Sequence, residues 1–241
     1  MSSRLLPGAR WASVAIFFAS VFSVVPGTVQ GAPDGLLIST QGANGAPACM
    51  LCHGAHGEGN PVSGFPRLAG AGAAYLQEQL EAIANGSRVS PVMTAIAKTL
   101  EPAQREAVAR FYAALPSPLD TDRLAATAQQ SPKPADVGAW LAIRGAWDRN
   151  IPACNQCHGP GGIGVGDHFP SLAGQPAAYL AEQLRLWREN QRPPGPLGLM
   201  AAVATRLTDA EITAVSAYYA GLPRAADPPT AQAGTAAKAK P

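Results

Sequence analysis

Apolar residues recur three and four positions apart along most of this chain, and no convincing run alternates apolar with polar. Over Ala74–Ile83, residues Tyr75, Leu76, Gln79, Leu80 and Ile83 fall at helical spacings. Ala178–Trp187 carries the same pattern. A third run opens at Pro102; proline suits a first helical turn, where its missing N–H would have no partner. A fourth opens on Thr208-Asp209-Ala210-Glu211, the capping-box order in which threonine and glutamate each satisfy a free backbone N–H. These last two end at Leu-Pro, at Leu115-Pro116 and Leu222-Pro223. Two further helices are expected, a clear one over Asp136–Trp147 and a short, weak one over Asp34–Gln41. The pattern predicts an all-α fold.

The helices come in two matching sets. Pro47-Ala48-Cys49-x-x-Cys52-His53-Gly54 recurs as Pro152-Ala153-Cys154-x-x-Cys157-His158-Gly159. Phe65-Pro66-x-Leu68-Ala69-Gly70 recurs as Phe169-Pro170-x-Leu172-Ala173-Gly174. Ala74-Tyr75-Leu76-x-Glu78-Gln79-Leu80 recurs as Ala178-Tyr179-Leu180-x-Glu182-Gln183-Leu184. Met93 then matches Met200, and Tyr112 matches Tyr219. A repeat of about 105 residues is the size of a domain, not of a solenoid unit. Length changes between the copies fall in glycine- and proline-rich stretches, where loops absorb them. The expected organisation is a domain over 32–116, a linker over 117–135, a second domain over 136–224 and a disordered tail over 225–241.

Residues 1–31 read as an export signal: Arg4 and Arg10, an uncharged apolar stretch Trp11–Val25, then a small, turn-prone segment to Gly31. That stretch is short for a membrane span of roughly 20 residues. Cleavage near Gly31 or Ala32 and a periplasmic location are expected. An uncleaved anchor is the alternative, and membrane association would otherwise be peripheral. The formal net charge of +2 falls to 0 without residues 1–31, which hold two arginines and no acids. No basic run is present, which argues against a nucleic-acid partner. Lysine is scarce, at Lys98, Lys133, Lys238 and Lys240, so a lysine-ringed docking face is not expected.

All four cysteines lie in two C-x-x-C-H pentads, Cys49–His53 and Cys154–His158. This is the attachment signature of c-type haem: the two thiols add to the haem vinyl groups and the following histidine reaches the iron. Cysteine pairs alone also suit a structural zinc site or thiol redox chemistry. A histidine in the same place in both copies favours two covalently bound haem c groups. Such haems are attached outside the bacterial cytoplasm, in keeping with an export signal.

The second axial ligand decides between carrier and catalyst. Met93 and Met200 follow their histidines by 40 and 42 residues, each between the middle and final helices, where a loop could cross the far haem face. Met50, between the cysteines of a pentad, is expected to pack at a haem edge. His56 and His168 do not match each other in the repeat and are expected to be exposed loop residues. The metal ligands expected are His53, Met93, His158 and Met200, an arrangement that leaves no open iron position and raises the potential. A positioned histidine also needs its other ring nitrogen hydrogen-bonded. The carbonyls of Pro66 and Pro170 are the candidate acceptors.

The run C-x-x-C-H-G, Gly57-Glu58-Gly59-Asn60, F-P-x-L-A-G, A-Y-L-x-x-Q-L and a late methionine resembles the diheme cytochrome c4 family over nearly the whole mature chain. The resemblance implies two class I cytochrome c domains about a pseudo-twofold axis, with haems near each other. It implies a periplasmic electron carrier rather than an enzyme. Its redox partners would be a donor dehydrogenase or quinol-oxidising complex and an acceptor oxidase or reductase. The family's ligands fall on His53, Met93, His158 and Met200. A dedicated cytochrome subunit of a periplasmic dehydrogenase is the alternative reading, and a diheme peroxidase a less favoured one. The second copy departs from the pattern with Gly161-Gly162-Ile163-Gly164 in place of G-E-G-N, and with a longer Arg192–Leu199 loop. Both departures bear on partner choice.

Overall fold

The computed structural model describes residues 32–223; the export signal expected over 1–31 and the tail expected over 225–241 lie outside them. The first half forms α1 (Gly35–Gln41), α2 (Met50–His53), α3 (Ala73–Ala84), α4 (Met93–Thr99) and α5 (Pro102–Ala114). After α6 (Thr121–Ala128) the second half forms α7 (Val137–Ile143), α8 (Cys154–His158), α9 (Ala177–Arg188), α10 (Leu199–Ala204) and α11 (Asp209–Ala220). No sheet forms among the described residues; strand-like pairing is limited to isolated bridges such as Asn60 with Phe65. The fold is all-α, as the periodicity implied.

The two halves repeat each other in packing as well as in order. Helix α5 lies against α1 and α3, as α11 lies against α7 and α9; α4 sits on α3 as α10 sits on α9. Gly35 and Gly138 make the crossings close. A Cβ on either would collide with the backbone of the last helix of its half, at Ala107 or Ala214. The ends are set locally. The Asp34 carboxylate accepts from the Leu36 and Leu37 N–H groups to start α1. Glu101 with Gln104, and Thr208 with Glu211, close capping boxes on α5 and α11. Each half has its own core, built on Ile38, Leu76, Val108 and Tyr112 in the first and on Leu141, Leu180, Ile212 and Tyr219 in the second.

Three features differ from the sequence expectation. Helix α7 is shorter than Asp136–Trp147: it ends at Ile143 because Gly145 turns to a φ of 73°, and Trp147–Arg149 forms a separate 3-10 turn. Short helices α4 and α10, rather than loops, carry Met93 and Met200. The linker contains helix α6, whose Leu124 is 0% exposed and belongs to the second core together with Leu119. An apolar residue that can reach a core folds the segment around it, whatever the proline content on either side.

Candidate haem site

Each pentad makes one helical turn, α2 or α8, with the first cysteine capping or opening it. Spacing of three then sets both cysteines of a pair on one face of the turn. All four thiols are free. Burial pushes the Cys154 thiol up to about 11 and raises the Cys49 thiol as well, opposite to what a thiolate metal ligand or reactive thiol pair requires. Among the described residues, no three His, Cys, Asp or Glu side chains gather into a metal cluster.

His53 and His158 are buried, and Nδ1 of each donates to a proline carbonyl, Pro66 at 2.8 Å and Pro170 at 2.7 Å. Both acceptors are those anticipated from spacing. This bond fixes the tautomer and leaves Nε2 with the free lone pair. Burial lowers the pKa of both imidazoles, and the hydrogen bond opposes it only in part, so each is held neutral, the form that ligates a metal. The Phe65 ring lies 6.2 Å from His53 and the Phe169 ring 6.3 Å from His158. The repeated Phe-Pro pair thus packs beside the imidazole and tethers it.

One largely apolar cavity of about 500 Å³ runs between the halves. Its walls include Cys49, Cys52, His53 and Met93 from the first half, and Cys154, His158 and Met200 from the second. Cys157, half-buried on α8, is off this wall. Met50 is half-buried and, like Cys157, off this wall. His56 and His168 are exposed, and His168 Nδ1 lies 3.2 Å from Glu78 Oε1 of the other half. An apolar cavity walled by two neutral, tethered histidines and by thiols of matched helical turns fits haem c.

The cytochrome c family profile matches residues 41–115 and 152–222. Cytochrome c4 of Pseudomonas aeruginosa is 34% identical, over 73% of this chain and 85% of its own. The chain belongs to the diheme cytochrome c4 family. The thiosulfate dehydrogenase electron acceptor of Thiomonas intermedia is 45% identical to this cytochrome, over 74% of this chain and 80% of the relative. A solved thiosulfate dehydrogenase from Marichromatium purpuratum superposes with a TM-score of 0.68 at 42% identity. That match covers 78% of this chain but spans only 40% of the Marichromatium chain.

This cytochrome is therefore an electron-transfer protein carrying two covalently bound haem c groups. When bound, haem c supplies one-electron iron chemistry; the chain sets its burial and orientation. The two halves support their pentads differently. The Tyr112 hydroxyl pairs with Ser39 Oγ at 2.7 Å, whereas that of Tyr219 donates to Asn155 Oδ1 at 2.8 Å. Ala142 holds the place of Ser39 in the second half, and Met50 the place of Asn155 in the first.

Sequence reasoning missed the polar seam between the halves. Gln175 accepts from the Arg67 backbone N–H at 2.9 Å and donates to the Arg67 carbonyl at 3.0 Å. The Arg67 guanidinium in turn donates to Ser171 Oγ at 2.5 Å and to the Ala173 carbonyl at 3.3 Å. Arg67 follows Pro66 and Ser171 follows Pro170, so each domain braces the peptide next to the other domain's histidine tether. The one sequence signal was that both copies keep polar Tyr and Gln on an otherwise apolar helix face.

Proposed function

We propose that this cytochrome is a periplasmic two-centre electron relay. Its axial ligands are His53 and Met93 at one iron and His158 and Met200 at the other, and its thioethers form on Cys49, Cys52, Cys154 and Cys157. The observation that carries this reading is the matched set: a tethered neutral histidine and a methionine from each half line one apolar cavity. With both axial positions filled by protein, an iron has no place for substrate, so the work is transfer rather than peroxidase-type catalysis. The domains run over 32–116 and 136–224, preceded by an export signal and joined by 117–135, whose helix α6 packs Leu124 into the core of the second. Among the described residues no helix is long and apolar enough to cross a membrane.

The electron donor we propose is a thiosulfate dehydrogenase. The Thiomonas acceptor is 45% identical to this chain, against 34% for the Pseudomonas aeruginosa cytochrome c4. A general carrier between a quinol-oxidising complex and a terminal oxidase or reductase is the rival reading. The experiment mixes oxidised holoprotein with a purified thiosulfate dehydrogenase and thiosulfate and follows the haem absorption. Enzyme-dependent reduction of both haems is expected. Reduction no faster than without the enzyme would overturn the donor assignment and favour the general carrier.

A further inference from the structure

The final helices of the two domains wall the cavity with matched residues, and one position differs. Val108, Ala109 and Tyr112 of α5 line it in the first half, and Val215, Ser216 and Tyr219 of α11 in the second. The valines and the tyrosines correspond in the repeat, and Ser216 takes the place of Ala109. Both residues are 2% exposed. The difference is one oxygen atom, on a cavity wall that also carries His158 and Met200.

That oxygen is unpaired. A hydroxyl within a helix can bond back to the carbonyl four residues earlier, as Thr213 on α11 does to Asp209 at 2.9 Å. Ser216 Oγ makes no such bond and has no other hydrogen-bond partner. Leaving a buried hydroxyl unpaired costs stability, so packing alone favours alanine here. Asn155 Nδ2 and Tyr218 Oη are likewise buried without a partner. Their counterparts in the first half are Met50 and Phe111. At all three positions the second half is polar where the first is apolar. Of the three, Ser216 alone lines the cavity.

We propose that Ser216 lowers the reduction potential of the second haem, by placing a hydroxyl dipole in its pocket where the first pocket has a methyl group. The inference rests on the two-centre reading given above. An oxidised haem carries one more positive charge than a reduced one, and apolar surroundings penalise the more highly charged state. A hydroxyl with no partner is free to turn its oxygen towards that charge. Ser216 therefore favours the ferric form of its own haem. Because it acts on one centre, it sets the driving force between the two.

The test is potentiometric titration of the purified holoprotein, with two haems per chain confirmed by haemochrome assay, for wild type, S216A and A109S. Each variant removes or adds a single oxygen. In S216A one haem is expected to shift about threefold towards ferrous, a rise of ~28 mV at ~59 mV per tenfold for a one-electron couple, while the other stays. In A109S the other haem is expected to shift by a similar factor towards ferric. S216A is also expected to melt no lower than wild type, because the group it removes is unpaired. Midpoints unmoved in S216A, a shift in the opposite direction, or equal movement of both midpoints would overturn the proposal. So would the same midpoint moving in both variants. A lowered melting temperature with midpoints unmoved would give the hydroxyl a structural role alone and overturn it too. If A109S does not accumulate as holoprotein, S216A carries the test by itself. Axial ligation is read separately from the optical spectrum, so failure of the relay reading and failure of this one are distinguishable.

Discussion

Replacing Gln175 with alanine probes how firmly the domains hold each other's histidine tethers. Gln175 is 7% exposed and binds both backbone groups of Arg67, which is 1% exposed. Alanine leaves that buried N–H and that buried C=O without this partner. Each such loss costs about 1–3 kcal/mol, so the pair costs ~2–6 kcal/mol. A chain of this size loses about 2–4 °C of melting temperature per kcal/mol, which puts the expected fall near 10 °C. The assay is thermal unfolding of the holoprotein by circular dichroism at constant haem content. Redox titration gives a second readout. Arg67 adjoins Pro66, whose carbonyl holds His53; a loosened peptide weakens that bond and the basicity of the imidazole. One midpoint of the two is then expected to rise while the other stays. A melting temperature within ~2 °C of wild type, with both midpoints unmoved, would refute the claim that this seam supports the site.

L124A tests whether helix α6 is part of the second domain. Leu124 is 0% exposed, so its truncation is expected to cost about 2–5 kcal/mol, read by chemical denaturation. R123A on the exposed side of the same helix should cost less than ~0.5 kcal/mol, and equal effects would contradict the assignment. Glu211 gives a pH prediction. Hydrogen bonding from Arg149 depresses its carboxyl to about 2 in the fold, so its contribution is complete above the unfolded carboxylate range and is lost as pH falls towards 2. E211Q keeps the capping box but not the ion pair. Its melting temperature is expected to be lower than wild type at neutral pH, with the gap closing at acid pH; a gap independent of pH would argue against it.

The middle and final helices were legible because each spans three turns or more, long enough for a 3.6-residue period to repeat, and because Pro102 and Thr208 mark their starts. The histidine tethers were legible because proline recurs at nearly the same distance after each pentad. Helices α4 and α10, seven and six residues long, are too short to display a period. Helix α6 was hidden because its one deeply buried residue, Leu124, reaches a core assembled from distant segments. Arg88 and Arg192 look like ordinary surface cations in sequence. Only the fold shows that both are buried and hydrogen-bond to tyrosine and glutamine side chains of the opposite half.

The central claim, one methionine closing each iron, is tested most directly by the weak red charge-transfer band that a methionine sulfur gives with ferric haem. In the oxidised holoprotein this band should be present, should fall to about half in M93A and in M200A, and should vanish in the double variant. An unchanged band in either single variant would show that the corresponding methionine is not the ligand and would contradict the account.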